Sequence, residues 1–197
     1  MYHNESGMCE NLSYARFLRS FILNIRDYNK IVLVGSGGSG KSWLAKRIAE
    51  LTDYPLYHLD NEFWKPGWTE SPRDEFIKRQ QEIIKSEKWI IEGAYNSTLE
   101  MRFVAADLII FLDINRIISI VSAAKRHGKK RSDLPDYLDE NTIFSKDFFE
   151  LCKYIWSYPK KGRKTVITLH EKYPDKILLH VKTRGEVQRL LMKWLHR

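Results

Sequence analysis

The stretch Gly35-Ser36-Gly37-Gly38-Ser39-Gly40-Lys41-Ser42 constrains this chain more than any other part of it. It fits G-x-x-x-x-G-K-[ST] and follows an apolar β run, Lys30-Ile31-Val32-Leu33-Val34, without an intervening loop. A phosphate tail can be ringed by backbone N–H groups only where side chains are absent and the chain can curl. Gly35, Gly37, Gly38 and Gly40 permit this, with Ser36 and Ser39 contributing further backbone N–H groups. Leu44, Ile48 and Leu51 follow at helical spacing, so a helix leaves the loop and turns its unpaired N–H groups toward an anion. The pattern predicts bound ATP, with Lys41 reaching the β- and γ-phosphates and the Ser42 hydroxyl ligating Mg²⁺.

Near-continuous apolar runs recur at 31–34, 56–59, 89–91, 108–112 and 177–181, separated by longer helical patterns. Runs without polar alternation are what strands buried on both faces require, so the expected class is α/β with a mainly parallel sheet. Ser71-Pro72 with Asp74 and Glu75 reads as an N-cap, a first-turn proline and first-turn acids, opening a helix to about Ser86. Thr183 and Glu186 form a capping box ahead of a final helix carrying Val187, Leu190, Leu191 and Trp194. Residues 1–29 read as an added extension, with Tyr14, Leu18, Phe21, Ile22 and Ile25 on one helical face; 30–197 form the main domain. A departure from the repeating pattern at about 127–163 suggests an inserted helix with Ser145 as N-cap and Phe148, Phe149, Cys152, Ile155 and Trp156 as its apolar stripe. The 164–170 stretch fits strand or helix.

Charge is unevenly placed. Residues 1–115 hold 14 basic and 16 acidic side chains, whereas 116–197 hold 19 and 9, so the net +8 comes from the second half. Lys125, Arg126, Lys129, Lys130 and Arg131, and then Lys160, Lys161, Arg163 and Lys164, read either as sites for phosphate or as solvated basic faces. The longest mid-chain apolar run, 108–112, is far short of the ~20 residues of a membrane span. With two distant cysteines, Cys9 and Cys152, and no basic-then-apolar leader, the expected location is the cytoplasm.

Phosphoryl transfer needs a carboxylate near the metal, at the carboxyl edge of the sheet where the loop lies. Asp60, Glu92 and Asp113 each end an apolar run there. If the third and fourth runs flank the first, Glu92 and Asp113 stand nearest the metal. Asp60, with Glu62, then lies farther out, where it can take or orient the proton of an acceptor. Phe63, Trp64 and Trp68 are candidates for the acceptor pocket or for aromatic packing, and His58 reads as a strand-end histidine rather than a catalytic one.

The phosphate loop together with Tyr57-His58-Leu59-Asp60, Phe63-Trp64-Lys65-Pro66-Gly67-Trp68, Trp89-Ile90-Ile91-Glu92-Gly93-Ala94-Tyr95 and Ala106-Asp107-Leu108-Ile109-Ile110-Phe111-Leu112-Asp113 resembles the bacterial DNA topology modulation, or FlaR-related, proteins. These are similar to adenylate kinase and other small P-loop kinases. The likeness covers about residues 30–195. It implies a three-layer α/β fold of nucleoside-monophosphate-kinase type, with a five-stranded parallel sheet of order 2-3-1-4-5 and a basic lid between the fourth and fifth strands. Three departures stand out. Trp43 replaces the usual threonine after Lys-Ser, leaving the α-phosphate to its backbone N–H, and Glu92 stands where aspartate is common. Gly93-Ala94-Tyr95-Asn96 replaces the Gly-Phe-Pro-Arg turn of adenylate kinases, so Tyr95 falls on the acceptor side and Arg102 becomes the nearest substitute for the acceptor-phosphate arginine.

Two functions follow. The first is an ATP- and Mg²⁺-dependent kinase acting on a small acceptor, with Lys41, Asp60 and Arg126 as catalytic groups and Arg102, Arg131 and Arg163 on substrate phosphates. The alternative is an ATP-binding regulator of DNA topology that engages nucleic acid through the basic second half by counterion release.

Overall fold

The structure is a computed structural model and describes residues 24–126 and 146–196. Most of the expected N-terminal helix, the Ser145 cap, and Lys129, Lys130 and Arg131 lie outside the described residues.

The central sheet contains strands β1 (Lys30–Gly35), β2 (Leu56–His58), β5 (Trp89–Glu92), β6 (Leu108–Leu112) and β7 (Ile177–Val181). Their order is β2-β5-β1-β6-β7, all neighbours parallel; counting only these five in chain order, it is 2-3-1-4-5. A two-residue antiparallel hairpin, β3 (Trp64–Lys65) with β4 (Thr69–Glu70), stands apart from it. The helices are α1 (Lys41–Thr52), α2 (Leu59–Phe63), α3 (Arg73–Ile84), α4 (Asn96–Ala105), α5 (Arg116–Arg126), α6 (Lys146–Ser157), α7 (Gly162–Lys172) and α8 (Arg184–Leu195).

Both faces of the sheet are covered, which is why its strands carry no polar alternation. Ile31 and Leu33 of β1 face Leu44 and Ile48 of α1 and Leu190 and Trp194 of α8. Val32 and Val34 face the other way, into a core with Phe76 of α3, Phe103 of α4 and Val166 of α7. Each such side chain contributes about 1.5–3 kcal/mol on burial, so the two cores hold β1 from both sides. Ile25, in a 3₁₀ turn (Ile25–Asp27) before β1, is also fully buried.

Several local expectations change. The ambiguous 164–170 stretch is helical and lies within α7, because Val166 and Leu169 bury one face against the core. Ser71 is not the cap of α3. Pro72 occupies the N-cap position, while Ser71 donates its hydroxyl to the Glu62 carbonyl (3.2 Å) and its N–H to that of Phe63 (2.8 Å). It thus pins the hairpin to α2, and Asp74 and Glu75 remain in the first turn of α3. At α8 Thr183 accepts the Glu186 N–H (3.2 Å), but the Glu186 carboxylate takes the N–H of Lys182, one residue before the cap (2.8 Å). Among the described residues no helix is long and apolar enough to cross a membrane.

Candidate active site

The carboxyl ends of β1, β2 and β5 lie side by side, and the chemistry-bearing residues gather there. The loop between β1 and α1 has the curled backbone its glycines predict. Gly38 and Gly40 have φ of 72° and 96°. A Cβ at Gly38 would stand 2.1 Å from the Ser119 carbonyl oxygen of α5, and one at Gly37 would stand 3.0 Å from Leu151 of α6. The loop is therefore shaped by α5 behind it and α6 above it. Lys41 donates through Nζ to the Ser36 carbonyl (3.0 Å). The Trp43 indole finds room by turning outward, half exposed, with the Arg47 guanidinium 6.0 Å from its ring.

Ser42 donates its hydroxyl to Oε1 of Glu92 across 2.9 Å, and Nδ1 of His58 lies 2.8 Å from the same oxygen. A carboxylate can only accept, so His58 donates through Nδ1. Glu92 is only 4% exposed. Burial by itself pushes its carboxyl up, but the His58 hydrogen bond, the Lys41 charge and the Ser42 hydroxyl outweigh this and hold it below its ordinary value. Glu92 is an anion beside the phosphate loop.

The structure sends Asp113 elsewhere. Its Oδ1 accepts from Arg163 (Nε 2.9 Å, Nη2 2.7 Å) and its Oδ2 pairs with Nε2 of His180 (2.9 Å). Those bonds outweigh burial and lower its carboxyl. Asp113 thus ties β6 and β7 to α7, and neither it nor Arg163 lines the cavity described next.

A single cavity of about 610 Å³ runs from Gly37, Gly38, Gly40, Lys41 and Ser42 to Asp60, Trp64, Trp68 and Tyr95. Arg126, at the end of α5, also lines it, together with Asp147, Glu150, Leu151 and Tyr154 of α6. The hairpin brings Trp64 to Trp68 edge-on, 5.6 Å between ring centres, through a turn in which Gly67 and Trp68 both have positive φ. Phe63 is the anchor beneath them, with ring centres 4.8–5.1 Å from Trp64, Phe76 and Tyr95. The aromatic residues therefore divide: Phe63 packs, whereas Trp64 and Trp68 face the cavity. Tyr95 donates its hydroxyl to Oδ1 of Asp60 (2.7 Å); burial and then the Asp60 charge push its phenol far up, so it stays a donor.

Arg102 does not line the cavity. It is 0% exposed, and its guanidinium donates to the carbonyls of Gly93, Ala94 and Tyr95, each at 3.1 Å. Burial lowers it to about 9, still charged at neutral pH. The turn it holds is uncommon, with Tyr95 at φ 28°. The Tyr95 carbonyl also accepts from the Thr98 N–H (3.0 Å) and hydroxyl (3.2 Å), so Arg102 is the side chain that satisfies the carbonyls of Gly93 and Ala94 and braces that of Tyr95, which fixes Tyr95 and through it Asp60.

ATP and Mg²⁺ fit these residues. A cradle in which a side chain at 38 would collide with backbone, opened by Lys41, suits a phosphate tail. Ser42 and Glu92 offer adjacent hard oxygen donors. Among the described residues no three His, Cys, Asp or Glu side chains converge as a metal cage, and Mg²⁺ needs no such cage when phosphates complete its shell.

No protein-family model matches the chain, and no curated protein matches it in sequence. Solved structures do match. Shikimate kinase from Acinetobacter baumannii, in complex with shikimate, aligns at TM-score 0.55 and 14% identity over 84% of this chain and 90% of that one. A gluconokinase from Sinorhizobium meliloti aligns at 0.50 and 15% over 85% and 90%. Shikimate kinase from Bacteroides thetaiotaomicron aligns at 0.50 and 16% over 86% and 97%. The fold is that of the small P-loop kinases.

Sequence reasoning missed His58 as the partner of Glu92, and the carboxylates Asp147 and Glu150 of α6. For His58 the signal was present, since β2 and β5 end together as adjacent strands. For α6 only the packing of Leu151 and Ile155 over Gly37 brings its acids to the site.

Proposed function

We propose that this chain is an ATP-dependent phosphotransferase that moves the γ-phosphoryl group to a hydroxyl of a small acceptor. The observation that carries this reading is the shared cavity: the phosphate loop forms one end and Asp60, fixed by Tyr95, the other. Mg²⁺ bound with ATP supplies neutralising charge to the phosphoryl group as it transfers. Ser42 and Glu92 would hold the metal, and Lys41 would shift from the Ser36 carbonyl onto the phosphates. Asp60 accepts the acceptor's proton through its carboxylate, while Tyr95 keeps that carboxylate aimed. Trp64 and Trp68 exclude water around the acceptor, and Arg126 adds charge from the α5 side. The likeness to solved kinases that act on small molecules supports the same class, and the motif likeness to FlaR-related proteins is compatible with it. Binding to DNA has only the basic second half in its favour, and there Arg163 is already engaged by Asp113.

A coupled assay of ADP release over nucleoside monophosphates, nucleosides, sugars and small alcohols tests this reading. At least one acceptor is expected to raise the rate well above the acceptor-free rate, and Lys41→Met to abolish the increase. Release no faster with any acceptor than without one would overturn it.

A further inference from the structure

We propose that His58 is a positioning residue for the metal that accompanies ATP: by holding Oε1 of Glu92 it leaves Oε2 to Mg²⁺ or to a water that Mg²⁺ carries. This rests on the phosphotransferase reading above and deepens it. Ser42 and His58 both donate to Oε1, at 2.9 and 2.8 Å. A carboxylate oxygen has two lone pairs, so Oε1 is filled. Among the described residues no hydrogen bond goes to Oε2, although Glu92 is buried and lines the cavity beside the phosphate loop. A buried anion is costly unless its oxygens find partners, and a hard cation or its bound water is the complement that Oε2 lacks.

Strand register, not a loop, sets this arrangement. His58 and Glu92 are Cα partners where β2 and β5 run side by side, and Leu33 of β1, two residues before the phosphate loop, is the partner of Glu92 on the other side. His58 occupies the N-cap position of α2, yet its side chain makes no capping bond to that helix. The ring goes to Glu92 instead, and its side chain is only 11% exposed. Glutamate needs such a brace more than aspartate does, because its additional rotatable bond must be frozen. The Lys41 charge already acts on Glu92. In a water-poor site that attraction is strong, and a carboxylate released from His58 would swing toward Lys41 and take both groups from phosphate and metal. Groups that fix the orientation of a metal ligand are worth about 10- to 100-fold in metal affinity.

The test reads metal coupling, not turnover. Affinity for a fluorescent ATP analogue is measured with and without Mg²⁺, and the ratio is compared among wild type, His58→Phe and His58→Asn. Phenylalanine keeps a ring without a donor, whereas the asparagine amide offers an N–H close to where Nδ1 stands. His58→Phe is expected to cut the gain in affinity from Mg²⁺ about 10-fold, and His58→Asn to restore most of it. A gain untouched in His58→Phe, or lost alike in both variants, overturns the proposal and leaves the phosphotransferase reading standing. A wild type that binds the analogue no better with Mg²⁺ than without it refutes the assignment of the metal to Ser42 and Glu92, and this proposal with it. Should the variants not fold, the ligand-free wild type decides alone through nitrogen NMR of its labelled histidines. His58 is expected to carry a proton on Nδ1, and a bare Nδ1 overturns the proposal.

Discussion

The Tyr95 hydroxyl reaches Oδ1 of Asp60 across 2.7 Å and joins the turn after β5 to the first turn of α2. Tyr95→Phe removes that donor and keeps the ring against Phe63 and Phe76. Stability should fall by about 1 kcal/mol. The turnover number should fall about 10- to 100-fold, and that of Asp60→Asn by more, within the range of about 10²–10⁴ for a lost general base. Steady-state kinetics with the best acceptor from the panel check this. Equal activity of wild type and Tyr95→Phe would remove Tyr95 from the machinery.

Arg102→Met keeps most of the buried volume but takes the guanidinium from the Gly93 and Ala94 carbonyls, that of Tyr95 keeping its Thr98 donors. A loss of about 2–4 kcal/mol is expected in urea denaturation, on the scale of buried polar groups losing their partner. Arg102→Lys should recover little of it, because an ammonium cannot span three carbonyls in a planar fork. A variant as stable as wild type with only a raised acceptor KM would return Arg102 to the acceptor site.

The loop glycines should separate sharply. Gly38→Ala puts a methyl against the Ser119 carbonyl at positive φ, so affinity for a fluorescent ATP analogue should drop at least about 100-fold. Gly40→Ala meets no atom within 4 Å and bears only the strain of φ 96°, a cost of about 1 kcal/mol. Similar losses from the two substitutions would contradict this geometry.

Acid should weaken the protein through Glu92 and Asp113. Both carboxyls lie below their ordinary 4.5 and 3.8 in the folded chain. A folded-state value below the unfolded one gives stability that is complete above the unfolded value and drains as pH falls through the folded one. Melting temperature should therefore hold steady above about pH 5 and decline below it. Glu92→Gln should melt lower at pH 7 and with a shallower acid slope. An unchanged slope between pH 5 and 3 in that variant would be the contrary result.

The strands of the sheet were legible because buried parallel strands leave uninterrupted apolar runs, their order was implied by the family resemblance, and the loop was legible because its chemistry demands glycine. Arg102 was misread for a physical reason. Sequence shows that a cation stands near the acceptor side but not whether its guanidinium turns outward to a ligand or inward to its own backbone. Asp113 illustrates the same gap. Its position at the end of β6 was foreseen, but the competing claims of His180 and Arg163 arise from neighbours on β7 and α7 that only tertiary packing brings together. The tryptophans of the hairpin were open between packing and binding, and the structure shows both features: each lines the cavity, and Trp64 also packs edge-on against Phe63 and Trp68.

Leu151 and Ile155 rest on Gly37, and the Ser119 carbonyl backs Gly38. The shape of the eight-residue motif is thus borrowed from helices that begin about 80 and about 110 residues downstream. A peptide covering only residues 30–52 would retain every letter of the motif and none of its form, and grafting those letters onto another scaffold would transplant a spelling without its meaning.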